Sequence, residues 1–173
     1  MDGKETQIQI EGMAIAMQAP EILSAIESGR HGRIGFAVFL WAENSVPVFA
    51  SWKLIGSRQD ARETADDMVS RLQTILRSKP AQLGDLTDVS AAMEYAGAML
   101  RSAPYAGDRM IVNIVGDGVD NAGQGPGRVR DALVPRDVTI DGVVIGGDYT
   151  GPYLEAPFHA ELERCTTRAA GRR

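Results

Sequence analysis

Two short runs carry oxygen-bearing side chains at spacings that could do chemistry. Gly116-Asp117-Gly118-Val119-Asp120-Asn121 follows the apolar run Ile111-Val112-Asn113-Ile114-Val115. Such a short, β-branched run reads as a buried strand of an α/β sheet. It sets Asp117 just past the strand's C-terminal end, where open α/β sheets bind ligands. The second run, Gly84-Asp85-Leu86-Thr87-Asp88, opens a helix. With Thr87 presenting its hydroxyl at the same sheet edge, a hydroxyl and a carboxylate make a partial shell for Mg²⁺. That cation is hard, prefers oxygen and keeps several waters. Each run also has a purely structural reading. Thr87 or Asp88 serves as a helix N-cap, and Gly, Asp and Asn make a tight turn after a strand. On the residues alone both alternatives stay open.

Other chemistry finds less support. Cys165 is the single cysteine, so no intramolecular disulfide forms. No activating base stands at a recognisable spacing from it, and one Cys with His31 and His159 is not a zinc ligand set. Gly123-Gln124-Gly125-Pro126-Gly127 lacks the Lys-Ser/Thr of a phosphate loop and reads as a flexible loop before a helix. No Gly-x-Ser-x-Gly elbow occurs. Trp41 and Trp52 sit inside strand patterns and read as packing residues.

The elements that must position these residues follow from periodicity. Residues 4–19 read as a helix with Ile10, Met13, Ala14 and Met17 on one face. Pro20 interrupts it, and a short helix runs to Ser28 with Gly29 as its stop. Arg33 to Ala42 reads as a strand apolar on both faces, hence interior to the sheet. Val46 to Ile55 reads as a second strand, with Pro47 favouring an edge and the short connection implying an antiparallel hairpin. Ser57 caps a helix carrying Ala61, Ala65, Met68, Val69, Leu72, Ile75 and Leu76 at helical spacing. A helix from Asp88 presents Val89, Ala92, Met93, Ala96, Met99 and Leu100. After the strand ending at Val115 come a helix from Pro126 to Leu133, a strand from Val138 to Ile145 and a helix from Tyr153 to Arg164. Strands alternating with helices predict a mostly parallel, three-layer α/β domain.

The 173 residues suit one domain with a substantial core. A net charge of −5 argues against a nucleic-acid surface, which needs clustered Lys and Arg. No run of about twenty apolar residues spans a membrane. The polar start Met1-Asp2-Gly3-Lys4-Glu5 is not a signal peptide, so the chain as written is expected to be cytoplasmic.

Together these pieces resemble the von Willebrand factor A-like (integrin I-like) domains, in a bacterial branch. The carrying residues are Arg33-Ile34-Gly35-Phe36-Ala37-Val38-Phe39-Leu40-Trp41, Gly84-Asp85-Leu86-Thr87-Asp88, Val115-Gly116-Asp117-Gly118-Val119-Asp120-Asn121-Ala122-Gly123 and Val138 to Gly147. The resemblance implies a doubly wound, Rossmann-like, mostly parallel sheet with one antiparallel edge strand. It covers residues 1–165, leaving 166–173 as a basic tail. It also implies a metal-ion-dependent adhesion site for Mg²⁺ built by three loops. The second carries a Thr, matched by Thr87, and the third an Asp, matched by Asp117. Such a site binds a protein partner whose carboxylate completes the ion's shell, with no catalysis. The rivals are a metal-dependent hydrolase or phosphoryl-transfer enzyme on the same sheet, and a degenerate metal-free scaffold.

The sequence departs from the pattern at its start. The first-loop Asp-x-Ser-x-Ser is absent, and Met1-Asp2 falls where that motif would run into the first helix. The expectation is an N-terminally truncated domain lacking its first, central strand, with neighbouring strand edges left unpaired. On this reading the chain binds Mg²⁺ weakly or not at all, and a lost export signal would make the longer protein periplasmic or secreted. An in-frame stop codon just upstream in the genomic DNA would sink it.

Overall fold

Pro20 divides the N-terminal helical stretch as its missing N–H requires. In the computed structural model α1 spans Gly3–Met17 and α2 spans Pro20–Glu27. The structure describes residues 3–43, 45–46, 52–78, 86–116, 120–123 and 125–144. Asp117, Asp85, Pro47, His159, Cys165 and the 153–164 helix expected from sequence lie outside them.

The described residues make a mixed α/β fold. After α2 come β1 (Ile34–Phe36), β2 (Leu40–Trp41), β3 (Ser45–Val46), β4 (Lys53–Ile55), α3 (Arg58–Ser78) and α4 (Val89–Arg101). Then follow β5 (Met110–Gly116), α5 (Gly127–Leu133), a 3₁₀ turn (Val134–Arg136) and β6 (Val138–Val144). β5 and β6 pair in parallel, from Met110↔Val138 to Gly116↔Val144. β1 and β4 pair antiparallel, with Ile34↔Ile55 and Phe36↔Lys53. β2 pairs with β3.

Contacts divide the chain into two units. One comprises residues 1–40 and 47–81, the other 41–46 and 82–173. In the first, Ile10 and Met17 of α1, Leu23 and Ile26 of α2, Ile55 of β4, and Ala61, Met68 and Leu72 of α3 share one buried cluster. The periodicity of α1 foresaw this face, since Ala14 is buried too. Burying each Ile, Leu or Met side chain of this cluster contributes about 1.5–3 kcal/mol before ordering entropy is subtracted. A recess of about 10 Å³ beside Phe36, Lys53, Thr64 and Asp67 has room for no more than one water.

In the second unit, strand alternation does the sorting. Val112 and Ile114 of β5 and Val138 and Ile140 of β6 are buried, and Val89, Ala92, Met93 and Ala96 of α4 are buried as well. Ile111 and Val143 lie on the opposite face and are about half exposed, at 48% and 47%. At Gly97 of α4 a Cβ would stand 2.7 Å from Leu133 Cδ2, so the missing side chain sets how closely α5 approaches.

One sequence expectation changes form. The continuous strand over 33–42 appears as β1 and β2, separated at Ala37–Phe39. An interior position predicts partners on both sides. Among the described residues β1 has β4 alone, and β5 has β6 alone. Ile34 is 42% exposed, so its face of β1 is only partly covered among the described residues. Of the second strand expected over 46–55, the two ends are seen as β3 and β4, and 47–51 lie outside the described residues. No described helix is long and apolar enough to cross a membrane.

Candidate functional site

The start of α4 decides between two readings of Thr87-Asp88. A helix leaves its first N–H groups without intrahelical partners, and an Asp at the N-cap accepts from one of them. Asp88 does this, its Oδ1 accepting from Ala91 N–H at 2.8 Å and from the Ser90 hydroxyl at 2.7 Å. Asp88 is therefore the cap and Thr87 is not. Among the described residues no hydrogen bond engages the Thr87 hydroxyl.

The Thr87 backbone is tied elsewhere. Its N–H donates to Asn121 Oδ1 at 2.7 Å, across 34 residues of sequence. Its C=O accepts from Asn121 N–H at 3.0 Å and from Ala122 N–H at 3.1 Å. Asp88 N–H in turn donates to Ala42 C=O at 2.9 Å. The loop after β5 thus lies against the loop before α4. The sequence expectation paired Thr87 with Asp117, which falls outside the described residues; the contact seen is that of Thr87 with Asn121 and Ala122.

The turn at 120–123 is built to come close. Asp120 Oδ1 accepts from Gly123 N–H at 2.8 Å, the usual way an Asp closes a turn on the residues after it. Asp120 Oδ2 is sealed from solvent. A Cβ on Gly123 would lie 2.6 Å from each of three oxygens: Asp120 Oδ1, Asp88 Oδ1 and Ser90 Oγ. Only a glycine leaves that volume to the oxygens. Ser90 and Gly123 were not singled out as chemistry by sequence reasoning. The signal available was the Asp88-x-Ser90 spacing at a helix start, which turns both side chains toward the helix N-terminus.

The gathered side-chain atoms are all oxygens, the donor chemistry that suits Mg²⁺ or another hard divalent cation. Asp88 Oδ1 and Asp120 Oδ1 are, however, already engaged in capping and turn closure. Among the described residues no group of three or more His, Cys, Asp or Glu is placed to hold a metal. Among the described residues the cluster thus offers the Ser90 hydroxyl and two carboxylates, all three already hydrogen-bonded.

The electrostatics elsewhere are structural. The Ser57 hydroxyl and then the Gly56 N–H hold the Asp60 carboxyl below the usual carboxylate value. The Arg71 hydrogen bond chiefly lowers Asp67, against a desolvation that raises it. Asp67 bonds Arg71 at 2.8 Å and lies 3.5 Å from Lys53.

The observed class is a mixed α/β protein with a polar turn cluster near the C-terminal end of a parallel strand. The chain belongs to the family described as "protein of unknown function (DUF1194)", whose profile matches residues 1–163. No curated protein matches it.

Proposed function

We propose that this chain is a von Willebrand factor A-like domain that recognises a protein partner and does no catalysis of its own. In this reading Thr87 supplies a hydroxyl and Asp117 a carboxylate to a divalent-cation site. The parallel β5–β6 pair then belongs to a three-layer, doubly wound, Rossmann-like, mostly parallel sheet with one antiparallel edge strand.

One observation carries the proposal. Asp88 caps α4, so the helix makes no demand on the Thr87 hydroxyl, while the Thr87 backbone is fastened to the loop that follows Asp117. A threonine held that firmly, with a hydroxyl that no described residue engages, is what a ligand-binding loop needs. Mg²⁺ held by a hydroxyl, one carboxylate and waters is less neutralised than in a full cage, and so accepts a carboxylate from a partner. Because this sequence contains no Asp-x-Ser-x-Ser loop, the chain is expected to bind Mg²⁺ weakly.

Titrating Mg²⁺ into the chain while following backbone amide shifts tests this. Millimolar Mg²⁺ should move the Thr87 amide and leave Leu72 of α3 unchanged, and Asp117→Ala should abolish the response. Shifts centred elsewhere, or none at tens of millimolar, would count against the cation site. Saturable micromolar binding lost in Asp117→Ala would show that the first loop is dispensable.

A further inference from the structure

We infer that Asn121 is a positioning residue for Thr87, and that Gly123 is what allows it to act. The inference rests on the reading of Thr87 as a cation ligand. Asn121 meets Thr87 from both sides, its Oδ1 accepting the Thr87 N–H and its own N–H donating to the Thr87 C=O. Ala122 N–H donates to the same C=O. A residue held at both its N–H and its C=O has little freedom in φ and ψ, and these two angles aim the Cα–Cβ bond. The direction in which the Thr87 side chain leaves the backbone is thereby set from a turn 34 residues away.

The turn can make this reach because of its last residue. Gly123 stands where any Cβ would be 2.6 Å from oxygens of Asp88, Ser90 and Asp120. With glycine there, the turn seats directly on the N-terminus of α4, and Asn121 arrives opposite Thr87. An asparagine suits its post for a specific reason. It offers an acceptor to the Thr87 N–H without adding charge next to Asp88 and Asp120. Fixing a ligand's backbone in advance removes part of the ordering entropy that binding would otherwise cost.

Amide hydrogen exchange on the full chain, compared for the wild type, Asn121→Ala and Asn121→Asp, tests the tether. Exchange at Thr87 should rise roughly tenfold in Asn121→Ala, the scale set by one lost hydrogen bond. Leu72 in the other unit should keep its rate. Asn121→Asp retains the acceptor and should restore most of the Thr87 protection. The Mg²⁺ titration read at the Thr87 amide should need several-fold more cation in Asn121→Ala than in the wild type, which a merely stabilising role would not produce. Unchanged Thr87 exchange in Asn121→Ala, or an increase spread evenly over both units, would overturn the positioning role. Faster Thr87 exchange with no Mg²⁺ response in any variant, wild type included, would uphold the tether and refute the cation reading.

Discussion

The helices α3 and α4 begin with the same physics and put it to different ends. At α3, Ser57 Oγ accepts from Asp60 N–H at 3.1 Å, and Asp60 Oδ2 accepts from Gly56 N–H at 3.1 Å. The exchange is reciprocal and complete within five residues, close to a capping box. At α4, Asp88 accepts from Ser90 and Ala91, and the turn at 120–123 is laid over the cap. A cap that closes on itself only starts a helix. A cap whose neighbouring threonine is held by a distant loop starts a helix and fastens two loops together. The difference lies in what comes to meet the cap, since both caps use one carboxylate and one serine.

Gly123→Ala should separate the two helix starts most strongly. Its methyl would contact three oxygens at 2.6 Å, and overpacking of this kind costs about 1–3 kcal/mol. Urea unfolding should show that loss, whereas Gly127→Ala, with nothing within 4 Å of its Cβ position, should be neutral or slightly stabilising. Equal effects at the two glycines would mean the turn is not seated on α4.

Removing each cap comes next in size. Asp88→Ala and Ser57→Ala should each lower stability by about 0.5–2 kcal/mol, the usual range for an N-cap. Only Asp88→Ala should also speed amide exchange in the 120–123 turn. If Ser57→Ala did so as well, the two caps would not be separable.

Acid sharpens the contrast further. The folded-state value of Asp60 lies below its ordinary one because the Ser57 hydroxyl and the Gly56 N–H stabilise the charged form. Its contribution is therefore fully present above the unfolded value of about 3.9 and is lost as pH falls through the lower folded value. Asp67, lowered chiefly by Arg71, has the same sign. The urea midpoint should fall below about pH 4 in the wild type, and Asp60→Asn should flatten that limb. A midpoint that rose on acidification would contradict the sign.

The smallest effect belongs to Arg71→Ala. The Arg71–Asp67 pair is an i, i+4 contact at 2.8 Å on partly exposed side chains, and such pairs are worth about 0.3–0.5 kcal/mol. A loss above about 1 kcal/mol would place the pair outside the usual surface range.

What could be read from the sequence follows how local each signal is. The buried faces of α1, α3 and α4 were readable because helical periodicity depends on neighbours three and four residues apart. The Ser57 cap was readable for the same reason. The antiparallel pairing of β1 with β4 was readable from the short connection between the two strands, but a second edge partner was not, because apolar residues on both sides of a strand report on the layers above and below it and say nothing of its edges. At the candidate site, Thr87 could be picked out, but the choice of Asp88 as the cap could not. That choice depends on Asn121 drawing the Thr87 backbone away, a contact no local pattern encodes. Gly123 looked like part of a loose glycine loop, and only the three oxygens around it give it a steric reason.

The span of the Thr87–Asn121 tether also has a kinetic consequence. It joins residues 34 apart through exposed hydrogen bonds, so the chain must close a long loop before it gains anything from the closure. Contacts of that kind form late in folding, after local helices and close pairings. Asn121→Ala should therefore leave the refolding rate almost untouched and quicken unfolding, giving a φ-value near zero. The loop that orders Thr87 would then be among the last parts of its unit to assemble and the first to open.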